Sequence, residues 1–346
     1  MAEAVRWGVI GAGGIARRRT IPEGIAAAGN ARLDSVFDIN QAANAEVAAQ
    51  YDAAAVESVE ALLARDIDAV YIASPAREHR VHALACARAG KHTLCEKPLG
   101  MSIGEAEEMA GAAQAAGVLF GTAFMMRFHT QHLAAKRLID EGRLGKIAYA
   151  RAQLSCWYPP IPGAWRQDPA TGGGGSLIDM GGHCIDLLET LLGPAARVSC
   201  FIRNTVHEYK SEDSAVVLLE FASGALGTVD TFFCITDEGS RNALELHGSM
   251  GSVVAEGTLG QAPQGRMTAI LKESSGGYDA GQARDAGGDI EIAPEPRSLY
   301  LAEIEAFSRA VLTNSQPEAG AKAGIRSQQV IAACYESART GRAAEV

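Results

Sequence analysis

The sequence is poor in several features, and each shortage excludes something. Cysteine occurs seven times, at positions 86, 95, 156, 184, 200, 234 and 334, and never as C-x-x-C. An odd, scattered set argues against a zinc ribbon or a disulfide framework and fits reduced thiols in the cytoplasm. Basic residues are in deficit: 31 Lys and Arg against 41 Asp and Glu leave a net charge of −10. A chain this acidic lacks the basic face that nucleic acid or an anionic membrane requires. No apolar run approaches the roughly 20 residues that span a bilayer. Met1 to Val5 carries no basic segment leading into an apolar one, so no signal peptide is expected. There is no G-x-S-x-G, no internal repeat and no low-complexity tract; the loosest stretch, Gly276 to Gly288, reads as a loop. With 47% apolar and 21% charged residues the chain reads as globular, and 346 residues exceed a typical single core. Two domains are therefore expected.

What is present is concentrated first in Arg6 to Arg18, RWGVIGAGGIARR. A strand-like run, Trp7 to Ile10, meets Gly11, Gly13 and Gly14, and a helical stretch begins at Ile15. The spacing is G-x-G-x-x-A, with Ala16 in the third place. Gly11 permits the tight turn, Gly13 lets main chain approach a pyrophosphate, and Ala16 lets helix and strand pack closely. The helix N-terminus then offers free N–H groups to phosphate.

Strand-like and helix-like runs alternate up to about residue 124. The strands read as Trp7–Ile10, Leu33–Phe37, Ala54–Val56, Ala69–Ser74, Thr93–Cys95 and Val118–Phe124. This alternation predicts a doubly wound parallel sheet of order 3-2-1-4-5-6. Asp38, ending the second strand, falls on the adenosine side. There its carboxylate suits the ribose hydroxyls of NAD and repels the 2′-phosphate of NADP. Ile39 and Asn40 add no positive charge, whereas Arg17, Arg18 and Arg19 could soften the preference. Ser74-Pro75 and Glu96-Lys97-Pro98 end the fourth and fifth strands and should flank the nicotinamide. Lys97, in a cleft, could bond a substrate hydroxyl and stabilise its alkoxide; a solvated surface lysine is the bland alternative.

From about residue 126 the pattern changes to antiparallel strand runs, Ile147–Cys156 through Met267–Lys272, followed by helices Leu299–Leu312 and Ile325–Ala338. An α+β domain with one large open sheet is predicted, over residues 126–346, after a dinucleotide domain over 1–125. The uncovered sheet face calls for a partner copy, so a homo-oligomer, dimer or tetramer, is expected. Gly172 to Gly193 carries the second signal. Ser176 reads as an N-cap, with Asp179 completing a capping box or facing a ligand. At helical spacing Asp179, His183, Asp186 and Thr190 share one stripe, opposite Leu177, Cys184, Leu188 and Leu191. Asp179 could orient His183, and Gly182 beside the stripe would leave room for a ligand; a solvated stripe is the alternative. His129 and His132 have metal-ligand spacing but no third ligand, so a solvated helix face and no metal are expected. Trp157, Tyr158, Trp165 and Arg166 suit either a sugar-stacking site or loop anchoring.

Taken together, these pieces resemble the Gfo/Idh/MocA family of oxidoreductases. The glycine fingerprint, Ser74-Pro75 with His79, Glu96-Lys97-Pro98, Arg127-Phe128, and the glycine run before Asp179-x-x-x-His183 carry the resemblance, which spans nearly the whole chain. It implies NAD(P)-dependent hydride transfer at a CH–OH of a sugar or polyol, with Lys97, Asp179 and His183 catalytic. It implies cofactor contacts from Gly11, Gly13, Gly14, Ile15, Asp38, Ile39, Ser74, Pro75, His79, Glu96, Lys97, Trp165 and Arg166. Lys97, Arg127, Tyr158, Arg166, Asp179 and His183 would meet the substrate. Ala76 stands where the family commonly has Asn, which puts one cofactor contact in doubt. Whether Lys97 or His183 carries the proton stays open, as do a redox-assisted glycosidase and a non-catalytic sensor.

Overall fold

Alternating strands and helices in the first third of the chain close into a six-stranded parallel sheet. Its strands are β1 (Val5–Ile10), β2 (Ala31–Phe37), β3 (Ala54–Ala55), β4 (Ala69–Ile72), β5 (His92–Glu96) and β6 (Phe120–Ala123). Their order is β3-β2-β1-β4-β5-β6, as the alternation predicts. The structure is a computed structural model describing residues 4–272, 280 and 289–346. The expected loop at Gly276 to Gly288 lies, apart from residue 280, outside those residues. Ser58 and Ser102 cap the helices that follow them, as short polar side chains at that position do. The helix before β5 starts at Ala76, directly after Pro75. The one after the glycine turn, Ala16–Ile25, is wound with i→i+5 bonds and holds Pro22. Such wide turns are rare and cluster at functional sites.

The remaining strands build a nine-stranded sheet: β7 (Ile147–Ser155), β8 (Ala195–Arg203), β9 (Ser214–Phe221), β10 (Leu226–Phe232), β11 (Leu244–Gly248), β12 (Gly251–Glu256), β13 (Arg266–Leu271), β14 (Ile290–Glu291) and β15 (Ala344–Glu345). The order is β14-β13-β12-β11-β7-β10-β9-β8-β15, and β7 with β10 is the one parallel pairing. One face buries Ala150, Val217, Leu219, Val229, Leu246 and Val253 in a common core with helices Leu177–Leu192 and Ala321–Thr340. The opposite face leaves Phe201, Leu218 and Leu226 more than half exposed.

Helix Leu299–Thr313 follows β7 to β14 of the second sheet in sequence yet covers the first. Ile304, Phe307 and Ala310 join the core of Trp7, Val9 and Tyr71. The Trp7 indole N–H donates to Ser308 Oγ at 3.1 Å. This helix thus packs on the first sheet although it lies in the second stretch of the chain.

His129 and His132 correct the expectation of a solvated face. Both are buried, at 0% and 2% exposure, with rings stacked 4.5 Å apart. His129 caps helix Thr130–Asp140 through the Gln131 N–H, and His132 Nδ1 donates to the Met126 carbonyl. No cluster of three or more metal-ligating side chains occurs among the described residues. Burial pulls the two imidazoles down to about 4 and about 3. The unfolded chain takes up these protons near pH 6.5 and the folded one refuses them. Stability is thus full above pH 6.5 and is lost as pH falls toward 4, at about 1.4 kcal/mol per pH unit per proton. His129→Asn keeps a capping side chain but removes one titrating ring. Denaturation midpoints from pH 6.5 to 4.5 should fall less steeply by one proton's worth; an unchanged slope would refute this account.

Candidate active site

The site is assembled where β1 and β4 part. Gly11 has φ +88°, and a Cβ there would stand 2.6 Å from the main chain of Ala73 and Ser74, so only glycine fits. Over Gly14 no atom lies within 4 Å of where a Cβ would be. This open cradle, beside the first turn of a helix whose leading N–H groups lack intrahelical partners, fits a pyrophosphate. Gly14 and Ile15 would hold it, the Gly13 N–H being committed to Asp38. Asp38 Oδ2 accepts from Gly13 N at 2.7 Å, and Oδ1 accepts from Asn40 N at 2.8 Å. The carboxylate is thereby fixed at the adenosine end, with Ile39 87% exposed beside it. Arg17 is paired with Glu46 and Arg19 with Glu23.

Asp179 is the centre of the second half of the site. Its Oδ1 accepts from Lys97 Nζ at 2.7 Å and from Arg166 Nε at 2.9 Å, and its carbonyl accepts from Lys97 Nζ at 2.8 Å. Arg166 also lies over the Trp165 ring, 4.1 Å from its centroid. Burial disfavours the Asp179 charge, but Arg166 and Lys97 prevail and hold it well below the usual carboxylate range. His183, one turn on, is 8% exposed, with Phe124 edge-on at 6.0 Å. Burial and then the Lys97 charge push this imidazole well down, so it is neutral. Tyr158 packs on Phe233 beside Arg166. A cavity of about 550 Å³ opens between Pro75 and the 161–171 segment, lined by Trp165, Gln167 and Thr171. The cofactor-side strand ends thus face the loop of Trp165 and Arg166.

Several expectations change. Asp179 does not bond His183: its contacts go to the two cations, and His183 Nδ1 is buried without a partner. Ser176 is not a cap, since it is already helical and its hydroxyl donates to the Thr231 carbonyl. Glu212, far off in sequence, does that work. Its Oε1 accepts from Gly175 N at 2.9 Å, Leu177 N at 3.1 Å and the Tyr335 hydroxyl at 2.9 Å. A carboxylate at a helix N-terminus complements its dipole. Nothing in the local sequence points to Glu212. Gly182 faces Ser327 of the last helix, 3.7 Å from its would-be Cβ, an ordinary contact distance.

His79 and Arg127 are spent inside the protein. The His79 ring nitrogens lie 2.8 Å from the Pro98 carbonyl and 2.7 Å from the Ser74 carbonyl; burial keeps the ring neutral, so one nitrogen donates and the other only packs against its carbonyl. The ring has no polar atom left for a cofactor. Arg127 grips Asp186 with two bonds, 2.8 and 2.5 Å, and donates to the Glu318 carbonyl at 3.0 Å. It clamps the connection between the sheets, with three of its five N–H donors committed there. The stripe therefore divides: Asp179 and His183 lie beside Lys97, whereas Asp186 pairs with Arg127.

A glycine cradle at a switch point, beside a lysine fixed on a buried carboxylate, defines a dinucleotide-dependent oxidoreductase. Comparison with known proteins narrows this. Residues 5–124 match the oxidoreductase family with an NAD-binding Rossmann fold, and residues 132–254 match the GFO/IDH/MocA C-terminal domain. The 1,5-anhydro-D-fructose reductase of Ensifer adhaerens is 33% identical over 345 residues, 99% of this chain and 98% of that one. The NADP(+) D-xylose 1-dehydrogenase 2 of Haloferax volcanii is 30% identical over 98% of this chain and 99% of its own. The crystal structure of an aldose–aldose oxidoreductase from Caulobacter crescentus, complexed with glycerol, superposes with a TM-score of 0.88 at 25% identity, covering 99% of this chain and 100% of that one. The chain belongs to the Gfo/Idh/MocA family of NAD(P)-dependent oxidoreductases.

Proposed function

We propose that the protein oxidises or reduces a CH–OH of a sugar or polyol, with Lys97, Asp179 and His183 as its catalytic group. The supporting observation is the Lys97 ammonium held twice by Asp179 beside a neutral imidazole. An ammonium has three donors. With two of Lys97's directed to Asp179, the third is available to a substrate oxygen and stabilises its alkoxide. Neutral His183 can take the hydroxyl proton in oxidation and return it in reduction. Arg166 and Tyr158 supply a further donor and a ring face to the same substrate. When bound, the nicotinamide accepts or supplies the hydride. The first sheet, with helix Leu299–Thr313, holds the cofactor; the rest of 126–346 holds the substrate. Seven free thiols fit a cytoplasmic location. No helix among the described residues is long and apolar enough to cross a membrane.

A panel of sugars and polyols, read by nicotinamide absorbance with each cofactor, tests the reading. We expect turnover with at least one, and tighter binding of NADH than NADPH because Asp38 faces the ribose. Release of an aglycone without net NADH, or no turnover across the panel, would overturn the dehydrogenase assignment. Equal or tighter NADPH binding would mean that Arg17 to Arg19 outweigh Asp38.

The exposed sheet face is proposed to meet a second copy of the chain. Phe201 (67% exposed), Leu218 (55%) and Leu226 (58%) lie on neighbouring strands, and no helix among the described residues covers them. Light scattering should give a dimer or tetramer, and Leu218→Glu should shift it toward monomer. A monomeric parent at working concentration would rule the proposal out.

A further inference from the structure

We propose that Tyr71 is a positioning residue for this reaction: its hydroxyl, held by Thr20, fixes the Glu96 carboxylate and through it the main chain at Lys97. The inference rests on the catalytic reading of Lys97. Tyr71 is on β4 and wholly buried, as is Thr20 on the wide helix after the glycine turn. Thr20 Oγ1 donates to the Tyr71 hydroxyl at 3.0 Å, and that hydroxyl donates to Glu96 Oε1 at 2.5 Å. Glu96 Oε2 accepts from the Lys97 N–H at 3.2 Å. One hydrogen-bonded path thus runs from the helix that meets the cofactor, through the sheet, to the residue that meets the substrate. Both oxygens of Glu96 are held, so its carboxylate cannot rotate and the chain entering Lys97 is fixed.

A core phenylalanine would fill the same volume. What the hydroxyl adds is support for the charge on Glu96. That charge is opposed by burial and faced by Glu303 and Tyr300 from helix Leu299–Thr313 and by Cys95 on its own strand. Lys97, Arg166 and the Tyr71 hydroxyl favour it. Glu303 is 2% exposed with neither oxygen hydrogen-bonded, and burial pushes its carboxyl well up, so it is not the acceptor of the Tyr71 hydroxyl. Removing the hydroxyl shifts the balance toward protonated Glu96. Activity then fades at a higher pH as the medium is acidified.

The test is the pH profile of kcat/KM for Tyr71→Phe, with melting temperature and NAD affinity measured alongside. We expect the acid limb to move up by about one pH unit and kcat at neutral pH to fall about tenfold. In Glu96→Gln, which cannot titrate, adding Tyr71→Phe should move the limb no further. Thr20→Val loosens the same hydroxyl from its other side and should give a smaller shift in the same direction; it decides the matter if Tyr71→Phe does not fold. A profile superimposable on the parent with unchanged kcat would make Tyr71 a core residue only. Lys97→Ala separates the two ideas. If it stays active, the catalytic reading fails; if it is inactive while Tyr71→Phe matches the parent, this inference alone fails.

Discussion

Replacing Lys97 by alanine should lower kcat by about 10²–10⁴-fold while the affinity for NAD changes far less. That range is what a positioned acid–base or electrophilic group contributes. Lys97 is held by Asp179 through both a side-chain and a main-chain acceptor, so its geometry is set before substrate arrives. His183→Ala should cost a comparable amount. The double variant should lose much less than the product of the single losses, because both groups act on one oxygen. The measurement is kcat and NAD affinity for the two single variants and the double. Near-normal kcat for His183→Ala on the right substrate would remove the imidazole from the chemistry.

Asp179→Asn should lower both stability and turnover. The carboxylate is the shared counter-charge of Lys97 and Arg166, whose side chains are 9% and 32% exposed. An amide leaves two cations facing a neutral group. Breaking a buried ion pair from one side costs about 3–5 kcal/mol. The partial exposure of Arg166 places the expected loss near the lower end. With Lys97 no longer drawn to a charge, kcat should fall, but less than in Lys97→Ala, because the Asp179 carbonyl still holds the ammonium. Denaturant midpoints and kcat measured together check this. A loss of only about 1 kcal/mol, typical of a helix cap, with turnover intact would return Asp179 to a local structural role.

What could be read from the sequence was what is local to it. Gly11, Gly13, Gly14 and Asp38 announce a cradle because turn geometry depends on a few adjacent residues. The strand order follows from alternation because parallel connections have one hand. Asp179 and His183 share a stripe because helical spacing is fixed. The partners of those groups were not legible. Asp179 turns to Lys97, 82 residues away, and not to His183, because two cations outcompete a neutral ring for one carboxylate. Arg127 looks free until Asp186 is seen across from it, 59 residues on. Glu212 caps the site helix from 35 residues away, and a suitable local Ser176 is passed over. His79, His129 and His132 resemble ligands by type and spacing, and only their burial assigns them to structure.

The return of helix Leu299–Thr313 to the first sheet also bears on how the chain emerges during synthesis. Trp7 and its partner Ser308 are separated by 301 residues. At ~5–20 residues per second, roughly 15–60 s pass between their appearance. For that interval the nucleotide-binding sheet has left the ribosome with one side of its core unroofed and the Trp7 indole exposed. The first sheet therefore gains its full core only once helix Leu299–Thr313 has been made.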